Sequence, residues 1–333
     1  MTSTPPLDRP DRNLALELAR VTEAAALAAA RLVGRGDKEA ADQAAVDAMR
    51  FVLDSVPMNG TVVIGEGEKD EAPMLYNGEQ IGDGSPPEVD IAVDPLEGTR
   101  LCALGMPSAI AVIALAERGT MFDPGPIVYM EKMAGSEEVA DLLDLDRPLG
   151  ETLKLVADRK GMAVGDVTVV MLDRPRHEQA MRAVRDAGGR IKLITDGDVS
   201  AALLAVSERS SVDLLYGIGG TPEGVITAAA LKCMGGQIVG RLWARDDGER
   251  QAALDAGYDL ARILTTDDLC WGRDVFFSAT GVTDGDMLQG VRYRGRGAST
   301  ESLVMRSRSG TVRRIYATHD RSKLRAITGE RYG

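Results

Sequence analysis

The stretch Asp94-Pro95-Leu96-Glu97-Gly98-Thr99 sets two carboxylates and a hydroxyl within six residues, directly after the apolar run Ile91-Ala92-Val93. The acids therefore stand where a buried strand opens into a turn. Proline fixes φ at position 95, and glycine at position 98 adopts backbone angles closed to other residues, so the pair can aim Asp94 and Glu97 at one point. Two acids aimed at one point repel each other unless a cation lies between them, and a divalent metal is the natural resolution. The plainer reading of these residues alone is a Pro-Gly turn carrying solvated acids, since short motifs produce false positives.

Composition bounds the metal and the substrate. Only two residues are histidine, His177 and His319, so a His-rich transition-metal site is excluded, and carboxylates with carbonyls would favour Mg²⁺ or Mn²⁺. The 39 basic against 51 acidic residues give a net charge of −12, which argues against non-specific nucleic-acid or anionic-membrane binding. A phosphate substrate would then need local positive charge, which bound divalent cations supply. Cys102, Cys233 and Cys270 are scattered and never form a C-x-x-C pair, so neither a disulfide framework nor a zinc-thiolate site is expected, and a reducing cytoplasm is the default. Residues 1–10 lack an apolar signal-peptide core and read as a disordered lead-in, and no stretch is apolar enough to span a bilayer. There is no P-loop, and Gly217-Ile218-Gly219-Gly220 does not fit the dinucleotide pattern G-x-G-x-x-G.

The elements that must position the acids follow from periodicity. Leu14, Leu18, Val21, Ala25, Ala28 and Leu32 mark one face of a helix beginning near Asp11 or Asn13, closed by Gly34 and Gly36. A second helix spans Lys38–Leu53, with Lys38 and Asp42 on one face; by itself that pair reads as a surface ion pair. Strands are expected at Thr61–Ile64, Ala109–Leu115 and Ile127–Met130, the first ending in Gly65-Glu66-Gly67, where an acidic turn and a ligand position are equally good readings. A helix-favouring tract covers Ser136–Lys160. Beyond it strands at 167–172, 191–194 and 213–216 alternate with helices at 175–187, 198–206 and 223–234, a rhythm that predicts a mainly parallel sheet covered on both faces. Ligands of such sheets bind beyond the strand carboxyl ends, here Asp173–His177, Thr195–Asp198 and Gly217–Glu223. The chain, at 333 residues, divides on this reading into an α+β half, 11–160, and an α/β half, 161–333.

Many ordered blocks together resemble a known family, the class II fructose-1,6-bisphosphatases, including the cyanobacterial type that also hydrolyses sedoheptulose 1,7-bisphosphate. The likeness runs from about residue 10 to about residue 320. Its blocks are Asp11-Arg12-Asn13, Gly36-Asp37-Lys38, Ile64-Gly65-Glu66-Gly67-Glu68, Ala72-Pro73-Met74-Leu75-Tyr76 and Asp94 through Thr99, then Arg174-Pro175-Arg176-His177 and Thr195-Asp196-Gly197-Asp198. Further on come Gly219-Gly220-Thr221-Pro222-Glu223-Gly224, Ala279 through Gly285 and Ser309 through Arg313. The family sits among the lithium-sensitive metal-dependent phosphatases, and the resemblance implies an α/β fold, a layered αβαβα sandwich of two sheets flanked by helices.

Position by position, the resemblance implies metal ligands at Asp42, Glu66, Asp94, Glu97 and Glu223, holding two or more Mg²⁺ or Mn²⁺ ions. It implies a phosphate-facing hydroxyl at Thr99, assisted by Lys38 and Asp70, and contacts to sugar and distal phosphate at Glu97, Gly98, Tyr129, Arg174, Pro175, Arg176, Asp196, Gly197, Asp198 and Gly220. The implied reaction is hydrolysis of the C1 phosphate of a small-molecule sugar bisphosphate by metal-activated water, in a cytoplasmic homo-oligomer, dimer or tetramer. Arg100, beside the motif threonine, is read either as a phosphate contact or as a solvent-facing side chain. Two rivals are an inositol- or nucleotide-type monophosphatase and a non-catalytic phosphosugar-binding protein. Glu97 and the Thr221-Pro222-Glu223-Gly224 block speak against the first, and the presence of every implied acid and of Thr99 against the second.

Overall fold

The computed structural model describes residues 13–67, 74–320 and 322–324. Two N-terminal helices, α1 (Ala15–Ala29) and α2 (Lys38–Leu53), precede strands β1 (Asn59–Ile64), β2 (Gln80–Ile81) and β3 (Glu88–Glu97), the short helix α3 (Thr99–Leu104) and β4 (Ile110–Glu117). The middle of the chain supplies β5 (Tyr129–Gly135), α4 (Leu149–Lys160), β6 (Thr168–Leu172), α5 (Glu178–Asp186), β7 (Arg190–Ile194), α6 (Asp198–Val206), β8 (Leu214–Gly220), α7 (Thr221–Met234) and β9 (Gln237–Trp243). Then follow α8 (Asp247–Asp255), β10 (Leu264–Thr265), α9 (Thr266–Leu269) and the strands β11 (Phe276–Gly281), β12 (Arg292–Arg294), β13 (Gly297–Arg306) and β14 (Thr311–Asp320).

Among the described residues these strands form an eight-stranded and a six-stranded sheet, the first ordered β12-β13-β11-β4-β3-β1-β2 with β14 on β13, the second β10-β9-β5-β8-β6-β7. Three apolar clusters fill the four interfaces between five tiers, the central one spanning both sides of the middle helices. Leu18, Val21 and Ala25 of α1 and Ala45, Met49 and Val52 of α2 pack with Ile91, Val93, Ile113 and Leu115 on one face of the first sheet. Val112, Ala114, Phe277 and Ala279 on the other face meet α6 and α7, which also cover Met130, Leu215 and Ile238 of the second sheet. The outer face of the second sheet, Met133, Val169, Met171 and Leu214, packs on Leu153 and Val156 of α4 and Met181 and Val184 of α5. The order is αβαβα, as the resemblance implies.

Three expectations are corrected. The second sheet is mixed: β7, β6 and β8 are parallel, but β5 runs antiparallel to both β8 and β9, and β9 antiparallel to β10. The β–α alternation was a sound guide only where a helix crossover links neighbours; β5 comes from earlier in the chain and inserts between β8 and β9. The strand expected at Ile127–Met130 runs over Tyr129–Gly135 instead. The helix-favouring tract resolves into a 3₁₀ segment, Glu137–Leu142, and α4. By contrast α2 and α6 occupy the residues that the sequence predicts.

The seat of α1 on the first sheet includes a buried hydroxyl chain. Thr22 Oγ1 lies 2.9 Å from Ser278 Oγ and accepts from Thr280 Oγ1 at 2.7 Å, and Thr280 Oγ1 is 2.7 Å from Ser302 Oγ. Removing one member leaves its neighbours short of a partner inside an apolar layer. Thr280→Val is expected to lower the unfolding free energy by about 1–3 kcal/mol, measured by urea titration with circular dichroism; an unchanged midpoint would show that the hydroxyls re-pair at no cost.

Candidate active site

Asp94 and Glu97 are three apart on one strand, a separation that sends side chains to opposite faces of a regular strand. The structure removes that conflict with a bulge: Asp94 pairs with Val112 and Glu97 with Ile110, so β3 spends one residue more than β4 over the same span. Pro95, which has no N–H to give to a ladder, sits inside the irregularity. Gly98 then takes φ 84°, ψ 46° at the head of α3, the left-handed geometry that the motif anticipates. Both acids consequently line one cavity of about 510 Å³.

Three further carboxylates line the same cavity from remote parts of the chain: Asp42 on α2, Glu66 just beyond β1, and Glu223 in the first turn of α7. The Glu66 segment is pinned by hydrogen bonds, with Glu66 N donating to Leu75 O at 2.9 Å and Gly65 N to Asn77 Oδ1 at 3.0 Å. Glu97, 3% exposed, serves a second end: its carboxylate accepts from Val199 N at 2.6 Å and Ser200 N at 3.3 Å, capping the first turn of α6. No three ligand-type side chains among the described residues are drawn into the spacing of a closed metal cage. The oxygen donors nonetheless fit a hard divalent cation, and Glu223 Oε2 is buried without a hydrogen-bond partner among the described residues. Such an orphaned anionic oxygen is costly unless a cation meets it.

Thr99, Gly98, Tyr129, Arg174, Arg176, Asp196, Gly197, Asp198 and Gly220 also line the cavity. Asp196 joins two guanidinium groups, accepting from Arg174 Nη2 at 2.9 Å and from Arg100 Nε at 3.0 Å. Arg100 thus reaches across to the second half of the chain instead of pointing away. Arg176 donates to Ile218 O through Nε at 3.1 Å and Nη2 at 2.7 Å, and its guanidinium carbon lies 5.2 Å from the centre of the Tyr129 ring. His177 ties down the strand end beneath: Nε2 accepts from Ile218 N at 2.7 Å and Nδ1 lies 2.8 Å from Leu172 O. That pair of contacts makes it a neutral imidazole protonated on Nδ1, and burial lowers its pKa accordingly.

Some expected residues are elsewhere. Lys38 is exposed, pairs with Glu39 at 3.3 Å and not with Asp42, and does not line the cavity. Pro175 opens the 3₁₀ turn carrying Arg176 but is not part of the lining. Asp70 lies outside the described residues. One important group escaped the sequence reading: Lys132 on β5, 2% exposed, is 2.7 Å from Asp198 Oδ2. The available signal was its place on the inward side of a strand, in phase with Met130 and Ala134.

The electrostatics follow from crowding. Burial first, then repulsion from Glu97, Glu66, Glu223 and Asp42, lifts Asp94 well above the ordinary carboxylate range. Burial followed by Asp42 raises Glu66 to about 7. Burial pushes Glu97 up to about 8, opposed by its Val199 hydrogen bond and reinforced by Asp198 and Glu223. Burial likewise raises Asp42 and Glu223, with Lys132 working against the shift in Glu223.

Comparison with known proteins identifies the family. The family described as "Bacterial fructose-1,6-bisphosphatase, glpX-encoded" matches residues 12–319. The chain is 44% identical over 321 residues to the fructose-1,6-bisphosphatase 1 class 2 of Escherichia coli strain K12, covering 92% of this chain and 95% of that one. The class 2 fructose-1,6-bisphosphatases of Escherichia coli O6:H1 and Shigella flexneri are similar to the same extent.

Carboxylates that bind protons more tightly folded than unfolded contribute stability below their ordinary pKa of 4.5 and lose it as pH climbs towards about 7 for Glu66 and about 8 for Glu97. Chelator-treated protein is therefore expected to melt at a lower temperature at about pH 8.5 than at about pH 5.5, and saturating Mg²⁺ to narrow the gap. Scanning calorimetry at both pH values decides it; a pH-independent melting temperature in chelator would contradict the shifts.

Proposed function

The chain belongs to the bacterial, glpX-encoded fructose-1,6-bisphosphatase family, a family of metal-dependent phosphatases, and on that footing we propose that it hydrolyses the C1 phosphate of fructose 1,6-bisphosphate to fructose 6-phosphate and phosphate. The observation that carries this reading is the meeting, in a single cavity, of five carboxylates with Arg174 and Arg176. A bisphosphate needs both chemistries: a cation site for the ester that breaks, and guanidinium groups for the phosphate that stays.

Asp42, Glu66, Asp94, Glu97 and Glu223 are the proposed ligands of two or more Mg²⁺ or Mn²⁺ ions, which when bound neutralise phosphoryl charge and acidify a water molecule. The protein's own side chains then do the positioning. Thr99, the first residue of α3, orients a phosphoryl oxygen or the attacking water. Asp70 and Lys38 are proposed to assist it; Lys38 would leave Glu39 to do so. Arg174 and Arg176 anchor the distal phosphate, and Tyr129, Asp196, Gly197, Asp198 and Gly220 meet the sugar. Sedoheptulose 1,7-bisphosphate carries the same two phosphates with one more hydroxymethylene unit and is included as a second substrate. The net charge of −12 supports a small-molecule substrate over a nucleic-acid or anionic-membrane partner. The buried free thiols of Cys102, Cys233 and Cys270 support work in a reducing cytoplasm, and a dimer or tetramer belongs to the same proposal.

The direct test is phosphate release from both bisphosphates, from inositol phosphate and from a nucleotide bisphosphate, with Mg²⁺, Mn²⁺ or chelator. Turnover of a sugar bisphosphate that chelation abolishes is expected; turnover untouched by exhaustive chelation refutes the proposal. Thr99→Ala is expected to lower kcat by about 10²–10³-fold with an unchanged melting temperature, and near-normal turnover would remove its role. Arg176→Ala is expected to raise KM for a bisphosphate far more than for a monophosphate. Equal effects on the two would take Arg176 out of the distal anchor.

A further inference from the structure

Lys132 is among the largest fully buried side chains of the described residues, and it lies behind a cavity wall crowded with acids. Its ammonium lies 2.7 Å from Asp198 Oδ2 and donates to Gly220 O at 3.0 Å. Those two partners belong to different walls. Asp198 is the first residue of α6, whose next two backbone N–H groups are held by Glu97. Gly220 is the residue at which β8 turns into α7, three positions before Glu223. Glycine leaves room at this junction: a Cβ on Gly219 would displace the Asp198 carboxylate and lie 3.0 Å from Lys132 Cε, and one on Gly220 would displace the Glu223 carboxylate. The bare backbone of these residues thus lets two carboxylates and one ammonium fold against a single strand end.

We propose that Lys132 is a positioning residue that holds the wall carrying Asp198 and the wall carrying Glu223 in one fixed arrangement, so that Glu223 is aimed at the cation site and Asp198 at the sugar. The inference rests on the functional reading above and goes beyond it, because Lys132 itself lines neither site. A point charge placed only to neutralise Asp198 would not also need a carbonyl at the head of α7. With both contacts made, displacement of either wall stretches a charge-assisted hydrogen bond of a buried lysine. Residues that orient a metal ligand in this indirect way change metal affinity when removed, by about 10–100-fold.

The two roles open to a buried lysine predict opposite signs. If Lys132 only adds positive charge, its loss makes the cavity more negative and tightens cation binding. If it positions Glu223, its loss weakens binding despite the added negative charge. Chelator-stripped Lys132→Met protein, without substrate, is titrated with Mn²⁺ and the free ion is counted from its electron paramagnetic resonance signal. The expected result is a Kd raised by about ten-fold or more, with a parallel rise in KM for fructose 1,6-bisphosphate. A tighter or unchanged Kd overturns the inference.

Because Lys132→Met strands the Asp198 carboxylate, the double variant Lys132→Met/Asp198→Asn is measured alongside it. With both charges of the pair removed it is expected to melt close to the wild type and still to bind Mn²⁺ weakly. Restored wild-type affinity in the double variant would reduce Lys132 to a counter-charge and overturn the inference. Wild-type protein that neither binds Mn²⁺ nor hydrolyses the bisphosphate sinks the functional reading, and the inference with it. Wild-type protein that does both, beside variants with unaltered Mn²⁺ affinity, sinks the inference alone.

Discussion

Acidic groups buried close together around one cavity are the constraint on which the rest of this molecule is built. Asp42, Glu66, Asp94, Glu97 and Glu223 face the same 510 Å³ space, and the result is a set of carboxylates displaced upwards in pKa by desolvation and by one another. Such a group would disperse in an unconstrained chain. Here it is held by devices that do not depend on the acids themselves: the bulge in β3, the left-handed Gly98, the Leu75 and Asn77 anchors of the Glu66 turn, and the Lys132 bridge. A divalent cation bound among these carboxylates would relieve that crowding.

Layering explains how acids from such distant residues meet. The middle tier, α6 and α7, touches both sheets through Val199, Leu203, Ile226 and Ala230. Both helices begin at the cavity, α6 with Asp198 and α7 with Thr221 and Glu223 nearby. Their shared apolar packing fixes the helix starts relative to β3 and β5, so the core of the protein and the geometry of the cavity are one problem in packing. A core that tolerated sliding of α7 would move Glu223. The sheets take their strands unevenly along the chain: the first draws on its beginning and its end, β1–β4 and β11–β14, and the second on the middle.

A net charge of −12 and an anionic substrate are reconciled by local arrangement. Arg100, Arg174 and Arg176 stand at the cavity, two of them held by Asp196 and the third by a carbonyl and the Tyr129 face. Fixing these guanidinium groups before ligand arrives lowers the ordering cost of binding. The overall acidity then discourages other polyanions without weakening this spot.

What the amino-acid sequence determined by itself is what depends on neighbours in the chain. The heptad-like spacing in α2, the glycine at position 98, the apolar run before Asp94 and the Gly220-to-Glu223 block each state their local conformation, because sterics and periodicity act over a few residues. Asp94 and Glu97 were legible for the same reason, whereas Asp42, Glu66 and Glu223 were singled out as ligands only by the family resemblance; all five arrive in one cavity. Tertiary structure alone decided what depends on partners far away in sequence. The antiparallel insertion of β5 between β8 and β9, the register slip that brings Asp94 and Glu97 to the same side, the capping of α6 by Glu97 and the burial of Lys132 between two walls all require strands and helices to be docked first. So did the outward course of Lys38, since a helix position specifies a face but not what that face will meet. Local rules choose conformations; only long-range packing chooses neighbours, and the chemistry of this cavity is a matter of neighbours.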